Sequence, residues 1–223
     1  MAIYALLDYA TLKKYNVTIE AFCKTAKGLK AKILQYRDKN SSTRQMRENL
    51  KLIRKHWTKP LIINDNPALL PYCDGLHIGI EDLQYLTTKY SLNEYEIISS
   101  IKEGRWFVEN NEFYFAKKKI NPCKMVGLST HNKEEILKAN AYPLDYIGLG
   151  AYRPTDTKQT DNILGEKIID LIKFSYHPVA VIGGVKIYDK IPSNYKVVGS
   201  DICRLISIQS KKKRILKRKS KSL

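Results

Sequence analysis

A run of glycine, hydroxyl and lysine residues directly follows a short apolar segment between Asp145 and Lys158. Gly148 and Gly150 stand where the apolar part ends, and residues this small let backbone N–H groups approach an anion. Beyond them lie two neutral hydrogen-bond donors and one cation: Thr155, Thr157 and Lys158. This arrangement predicts a phosphate-binding loop, and an ordinary polar loop after a strand is the alternative.

Charged and polar residues lie at the ends of three other apolar segments. Gln35, Arg37 and Lys39 alternate along the chain, so in an extended strand their side chains point in one direction. Asp65 and Asp82 follow the next two segments. Two carboxylates in a pocket lined with cations suit Mg²⁺, which typically uses one or two carboxylates together with substrate phosphates. For each aspartate, an N-cap at the start of a helix is the alternative interpretation.

The remaining strand-end residues are neutral. We interpret His77 as a packed histidine that donates to a backbone group, with a ligand or a base as the alternative. We interpret Ser129 as a hydrogen-bond donor, because no acid and base pair obliges it to be a nucleophile. Gly184 and the pair Gly199-Ser200 follow the last two apolar segments, where backbone N–H groups and a helix N-terminus often bind phosphate. The chain therefore predicts two anion sites, one with Mg²⁺ and one without.

Eight short apolar segments must position these groups. They are Ile3–Leu7, Lys32–Tyr36, Leu61–Ile63, Gly75–Ile78, Met125–Leu128, Tyr146–Leu149, Val179–Ile182 and Tyr195–Val198. Between several of them apolar residues recur at helical spacing, and Ser42 with Gln45 and Asn132 with Glu135 are predicted helix starts of the capping-box type. Strands that alternate with helices imply a parallel sheet, so eight units in 223 residues predict an α/β fold, a single-domain (β/α)8 TIM barrel. A doubly wound sheet is the alternative, and either fold places the site at the carboxyl ends of the strands.

Two connections depart from a regular barrel. The connection after the fourth strand, residues 83–124, is long, and Arg105–Ala116 reads as a β-hairpin with aromatic strands on either side of Asn110-Asn111. Between Gly184 and Gly199 the chain is too short for a full helix, which predicts a shortened seventh βα unit. We predict a barrel over residues 1–210 and a basic C-terminal tail over residues 211–223.

Composition limits the classes of protein that fit. No segment approaches the roughly 20 apolar residues of a membrane span, and the N-terminus lacks the pattern of a signal peptide, so we expect a cytoplasmic protein. The four scattered cysteines are predicted to be reduced packing residues. The formal charge of +17 is unevenly spread, because Lys211–Lys221 holds eight Lys or Arg residues and no acid, which is nearly half of the excess. Such a tail can bind nucleic acid or an acidic surface, and the solvated end of a last helix is the alternative.

Taken together, these residues resemble the thiamine-phosphate synthase family. The resemblance extends from about Ile3 to Ile202 and follows an ordered set of motifs: Gln35-x-Arg37-x-Lys39, Asn64-Asp65, Asp74-Gly-x-His77-x-Gly79-x-x-Asp82, Gly127-x-Ser129-x-His131, Asp145-Tyr-Ile-Gly-x-Gly150, Pro154-Thr-x-Thr-Lys158 and Gly183-Gly184. It implies a (β/α)8 barrel that joins a pyrimidine methyl pyrophosphate to a hydroxyethylthiazole phosphate, releasing thiamine phosphate and pyrophosphate. Whether the thiazole carries an additional carboxylate stays open.

The resemblance also implies roles for individual residues. Gln35 would contact the aminopyrimidine or its pyrophosphate, and Asp65 and Asp82 would bind Mg²⁺. The groups placed around the pyrophosphate are Arg37, Lys39, Asn64, Ser129 and Lys158. The groups placed around the thiazole phosphate are Thr155, Thr157, Gly184, Gly199 and Ser200. The implied chemistry is dissociative, so Mg²⁺ and the cations stabilise the departing pyrophosphate without a nucleophilic side chain.

Other functions fit parts of the same pattern. Ile80 stands where the family usually has glutamine, and the segment before Gly199 is short. The alternatives are the related thiazole tautomerase and a non-catalytic barrel that binds a phosphorylated ligand and uses its basic tail on nucleic acid. A homo-oligomer is compatible with either.

Overall fold

The apolar segments form the strands of a closed barrel in the computed structural model, which describes residues 1–122, 124–155 and 162–219. Ten strands lie within these residues: β1 (Ala2–Asp8), β2 (Ile33–Arg37), β3 (Leu61–Asn64), β4 (Gly75–Ile78), β5 (Trp106–Glu109), β6 (Glu112–Phe115), β7 (Met125–Thr130), β8 (Tyr146–Leu149), β9 (Val179–Val181) and β10 (Tyr195–Val198). Eight of them pair in parallel in the order β1-β10-β9-β8-β7-β4-β3-β2 and close the barrel. The predicted TIM barrel is confirmed, and each of the eight predicted segments holds one strand.

Alternation along the strands divides the apolar core into two layers. Tyr4, Leu6 and Val197 belong to a cluster inside the barrel, whereas Ala5 and Leu7 pack in the larger cluster beneath the helices. This is the expected consequence of successive side chains pointing to opposite faces of a strand.

Helices surround the barrel. Eight α-helices lie within the described residues: α1 (Tyr9–Tyr15), α2 (Ile19–Gly28), α3 (Thr43–His56), α4 (Ile80–Tyr90), α5 (Glu94–Glu103), α6 (Lys133–Ala139), α7 (Ile168–Ile172) and α8 (Ser200–Lys219). The predicted helix starts are confirmed, because the Ser42 side chain accepts from the Gln45 N–H and the Asn132 side chain accepts from the Glu135 N–H. These contacts satisfy N–H groups that have no partner within the helix.

The predicted hairpin in the long connection is confirmed. Strands β5 and β6 pair in antiparallel fashion, and Asn110 and Asn111 join them with φ values of 50° and 65°. Left-handed backbone at both central residues matches the right-handed twist of the two strands. Trp106 and Phe113 bury the inner face of the hairpin.

The seventh unit is short, as predicted. Residues 182–194 connect β9 to β10 without a helix, and Val185 and Ile191 supply buried apolar contacts in its place. After β10, helix α8 runs without interruption past Ser210 into the basic segment, and residues 220–223 lie outside the described part of the chain. The domain boundary at residue 210 stays a prediction.

Three of the four cysteines can be assessed. Cys23, Cys73 and Cys203 are buried and free, and burial raises the pKa of the Cys23 thiol to about 12, in keeping with a packing role. Cys123 lies outside the described residues. Among the described residues, every helix is too short or too polar to span a bilayer.

Candidate functional site

A cavity of about 390 Å³ opens at the carboxyl ends of the barrel strands. It is lined by all the predicted site residues that the structure describes: Gln35, Arg37, Lys39, Asn64, Asp65, Asp82, Ser129, Thr155, Gly184, Gly199 and Ser200. Thr157 and Lys158 lie outside the described residues. Closure of the barrel therefore brings together residues that are up to 165 positions apart in the chain (Gln35 to Ser200).

Arg37 is held at the rim of this cavity by a carboxylate that sequence reasoning missed. The parallel pairing of β1 with β2 sets Asp8 opposite Arg37, and Arg37 Nη1 donates to Asp8 Oδ2 at 2.5 Å. Asp8 is only 4% exposed, and its other oxygen accepts from the Thr11 N–H at 2.8 Å as the cap of α1. Asp8 itself ends a strand, like the predicted site residues, and that position was the signal available in the sequence.

A chain of amide hydrogen bonds joins the next two strand ends. Gln35 Nε2 donates to Asn64 Oδ1 at 2.7 Å, and Asn64 Nδ2 donates to Asp65 Oδ2. Lys39 Nζ lies 3.9 Å from the same Asp65 oxygen. Gln35, Asn64 and Asp65 are thus each oriented by a neighbour, and the Lys39 ammonium lies beside the Asp65 carboxylate.

Asp65 and Asp82 face the cavity as a pair, and neither is an N-cap. Asp65 has left-handed backbone, with φ of 59°, and precedes the cap residue Asn66, whereas Asp82 is the third residue of α4 behind the cap residue Gly79. Burial and the charge of Asp82 raise the pKa of Asp65 to about 6, against the opposing effect of Lys39 and Arg37. The N-cap alternative is wrong for both residues.

This pair fits Mg²⁺ better than a metal that needs a complete set of protein ligands. Within the described part of the chain, no group of three or more His, Cys, Asp or Glu residues could hold a metal ion. Mg²⁺ needs only one or two carboxylates when substrate phosphates complete its shell. A divalent cation between the two aspartates would also offset the repulsion that raises the pKa of Asp65.

His77 links Ser129 to the barrel interior. Its Nε2 lies 3.0 Å from Ser129 Oγ, its Nδ1 lies 3.1 Å from Tyr146 Oη, and Tyr146 Oη lies 2.8 Å from Tyr4 Oη. The expectation that His77 donates to a backbone group is wrong, because both ring nitrogens meet side-chain hydroxyls. Burial lowers the pKa of His77 to about 4, so the ring is neutral at pH 7, with one nitrogen donating and the other accepting.

A second histidine at the cavity has a carboxylate partner. Glu135 Oε2 accepts from the backbone N–H of His131 at 2.7 Å and lies 3.0 Å from His131 Nδ1. Both residues line the cavity. Glu135 was predicted only as part of a helix start, and its second contact arises because helix α6 begins directly after the strand end.

The opposite side of the cavity is built from backbone. Gly183 and Gly184 have φ values of 89° and 62°, and a Cβ atom at either position would come within 2.7 Å of Ala151 or Arg153. Helix α8 begins at Ser200, directly after Gly199, and both residues line the cavity, so the N-terminal end of this helix lies at the cavity. Backbone N–H groups at a glycine turn and a helix N-terminus suit a phosphate.

The chain is similar to known proteins in sequence and in fold. A family model described as thiamine monophosphate synthase matches residues 5–102 and 109–192, so its only internal gap falls at the start of the hairpin and its end falls before β10. The thiamine-phosphate synthase of Persephonella marina is 34% identical over 161 residues, which span 70% of this chain and 64% of that protein. Thiamine-phosphate synthase 1 of Aquifex aeolicus is 30% identical over 183 residues, which span 79% of this chain and 70% of that protein.

A solved structure extends the similarity to most of the chain. Thiamine phosphate pyrophosphorylase from Pyrococcus furiosus superposes with a TM-score of 0.60, covering 93% of this chain and 96% of that one at 19% identity. At this identity the likeness establishes the shared barrel fold.

Proposed function

The chain belongs to the thiamine monophosphate synthase family, and from this premise we propose that it is a transferase of thiamine biosynthesis. It joins a 4-amino-2-methyl-5-hydroxymethylpyrimidine pyrophosphate to a hydroxyethylthiazole phosphate and releases thiamine phosphate and pyrophosphate. The observation that carries this proposal is that one cavity has two chemically unlike sides, each suited to an anion. Arg37 and Lys39 line one side together with the Asp65–Asp82 pair, and a glycine turn with a helix N-terminus lines the other.

The charged side would receive the pyrophosphate. Arg37, oriented by Asp8, and Lys39 supply positive charge, while Asn64 and Ser129 supply neutral hydrogen-bond donors. Gln35 is turned by Asn64 so that its own carbonyl oxygen can accept from the aminopyrimidine. Mg²⁺ held by Asp65 and Asp82 would supply further charge stabilisation on the phosphate oxygens.

Ser129 acts here as a hydrogen-bond donor, and His77 orients its hydroxyl group. If His77 Nε2–H donates to Ser129 Oγ, the Ser129 hydroxyl hydrogen is left to donate to a phosphate oxygen. His77 Nδ1 then accepts from Tyr146, which accepts from Tyr4. Preorganised donors of this kind stabilise charge as it develops on a leaving group. No step requires a serine nucleophile.

The backbone side would hold the thiazole phosphate, through Thr155, Gly184, Gly199 and Ser200. Thr157 and Lys158 are assigned on the sequence motif alone, to the thiazole phosphate and the pyrophosphate respectively. With both substrates held across the cavity, pyrophosphate departs first with the bonding electron pair, and the thiazole nitrogen then attacks the methylene of the resulting pyrimidine cation.

The test is the formation of thiamine phosphate from the two substrates, measured by oxidation to fluorescent thiochrome. We expect product with Mg²⁺, none with EDTA, and loss of most turnover in Asp65→Asn. That variant should be at least as stable as the parent without metal, because the raised pKa of Asp65 means that its charge opposes folding. Asp170→Asn, at an exposed carboxylate on α7, is the matched control. A folded wild-type protein that forms no product would refute the synthase assignment.

The family match and the two relatives favour this function over the tautomerase and the non-catalytic barrel. A cytoplasmic location, self-association and nucleic-acid binding by the basic end of α8 remain predictions. Salt-sensitive binding to nucleic acid that disappears on deletion of residues 211–223 would support the last of these.

A further inference from the structure

The Gly183–Gly184 turn after β9 is not stabilised by a following helix, because the short seventh unit contains none. Gly183 and Gly184 are both left-handed, and glycine loses more conformational freedom on folding than other residues. No helix follows the turn before β10. A phosphate site built on these two residues therefore depends on other contacts to hold its shape.

The loop after β8 supplies the first of these contacts. The Tyr152 N–H donates to the Ile182 carbonyl at 2.8 Å, and the Arg153 N–H donates to the Gly183 carbonyl at 3.0 Å. Arg153 Nη1 also lies 3.4 Å from the Gly184 carbonyl. The backbone of the turn thus lies directly against the segment that leads into Thr155.

Asp189 binds the loop after β8 through the side chain of Arg153. It is 8% exposed and binds the Arg153 guanidinium through both oxygens, at 2.5 Å to Nη1 and 3.2 Å to Nη2. One of those oxygens also accepts from the Lys186 N–H at 2.7 Å. A two-point, charge-assisted contact of this kind fixes distance and orientation together.

Two further charges tie the same connection to the last strand and helix. Lys196, on β10, is buried and donates from its ammonium to the carbonyls of Ile187 and Asp189. Asp201, in the first turn of α8, accepts from the Ile187 N–H at 3.0 Å. Residues 186–189 are therefore anchored to both elements that border Gly199 and Ser200.

We propose that Arg153 and Asp189 are a positioning pair, which holds the Gly183–Gly184 turn in its phosphate-binding conformation in place of the helix that the seventh unit lacks. Neither side chain lines the cavity, so the pair acts through the turn and not on substrate. This inference rests on the proposed function insofar as it assigns the turn to the thiazole phosphate. The sequence gives no local signal for the pair, because its members are 36 residues apart.

The test separates the two halves of the cavity by steady-state kinetics on the full chain. In Asp189→Asn, we expect the KM for the thiazole phosphate to rise at least tenfold, with kcat and the KM for the pyrimidine pyrophosphate within about twofold. Arg153→Lys keeps the charge but loses the two-point contact, and it should show an intermediate rise. Arg153→Ala and Asp189→Ala should not be additive, because each removes the same interaction. Asp170→Asn, at the exposed Asp170–Lys173 pair, is the control and should change nothing.

Two kinetic results would overturn the proposal: an unchanged KM for the thiazole phosphate in Asp189→Asn, or a proportional loss for both substrates. If the wild-type protein forms no thiamine phosphate, the proposed function fails, and calorimetry with inorganic phosphate decides the present inference separately. Phosphate binding that weakens at least tenfold in Asp189→Asn, with Mg²⁺-dependent pyrophosphate binding unchanged, supports the positioning pair. Equal phosphate affinity in both proteins, or no phosphate binding by the wild type, overturns it.

Discussion

Asp8 has two separable duties, and two substitutions distinguish them. Its carboxylate pairs with Arg37 at 2.5 Å, and it also caps helix α1 through the Thr11 N–H. Asp8→Asn keeps an efficient cap but removes the charge, and a hydrogen bond to a charged group is worth about 1.5–3 kcal/mol. Asp8→Ala removes both, and loss of a cap costs about 1 kcal/mol more. We therefore expect the free energy of unfolding to fall by about 2 kcal/mol in Asp8→Asn and about 3 kcal/mol in Asp8→Ala.

Urea denaturation followed by tryptophan fluorescence measures both values, since Trp57 and Trp106 are buried and report on unfolding. In the thiochrome assay, both variants should also lose kcat/KM for the pyrimidine pyrophosphate, because Arg37 is no longer held at the cavity. Lys173→Ala, which breaks an exposed ion pair on α7, should change stability by no more than about 0.5 kcal/mol. Stability losses below that level in both Asp8 variants would refute the reasoning, as would equal losses in the two.

Three further outcomes follow from the same structure. Burial lowers the pKa of His77 from 6.5 to about 4, so the unfolded state binds a proton at this residue before the folded state does as pH falls. This residue alone should therefore lower the free energy of unfolding by about 2 kcal/mol between pH 7.5 and 5. Urea titrations at both pH values should show a smaller decrease in the free energy of unfolding for His77→Gln than for the wild type. Tyr146→Phe leaves Tyr4 and His77 without a shared hydroxyl, and should lower stability by about 1–3 kcal/mol in urea and reduce kcat in the thiochrome assay. Deletion of residues 211–223 should leave thiamine phosphate formation unchanged, since the cavity is lined by residues up to Ser200.

The barrel could be predicted because its strands are short apolar segments with a turn or polar group at each end. The hairpin could also be predicted, since Asn110-Asn111 between aromatic segments favours the left-handed turn that is observed. The cavity-lining residues at strand ends could be predicted for the same geometric reason, because parallel strands bring their carboxyl ends to one side.

Partners across the barrel could not be predicted from spacing. Tyr4 and Tyr146 are 142 residues apart, and each stands within an apolar strand where a tyrosine normally indicates packing. Their hydroxyls meet only because closure of the barrel turns both side chains inward, and His77 joins them for the same reason. The error over His77 arose here, since a backbone acceptor is the usual partner of a packed histidine when its long-range neighbours are unknown.

One half of the cavity is formed mainly by charged and polar side chains, and the other depends on the conformation of the backbone. This difference explains why only the first half could be predicted well from residue types. On the charged side, the groups proposed to contact substrate are themselves ionised or polar side chains, so residue type and spacing reveal them. On the backbone side, the donors are N–H groups whose direction depends on Gly183–Gly184 and on supports such as Asp189, which never reach the cavity. The family match also ends on this side, at residue 192, before β10. A phosphate site of this kind therefore depends on residues that lie outside it, such as the proposed Arg153–Asp189 pair, and residue type alone does not reveal them.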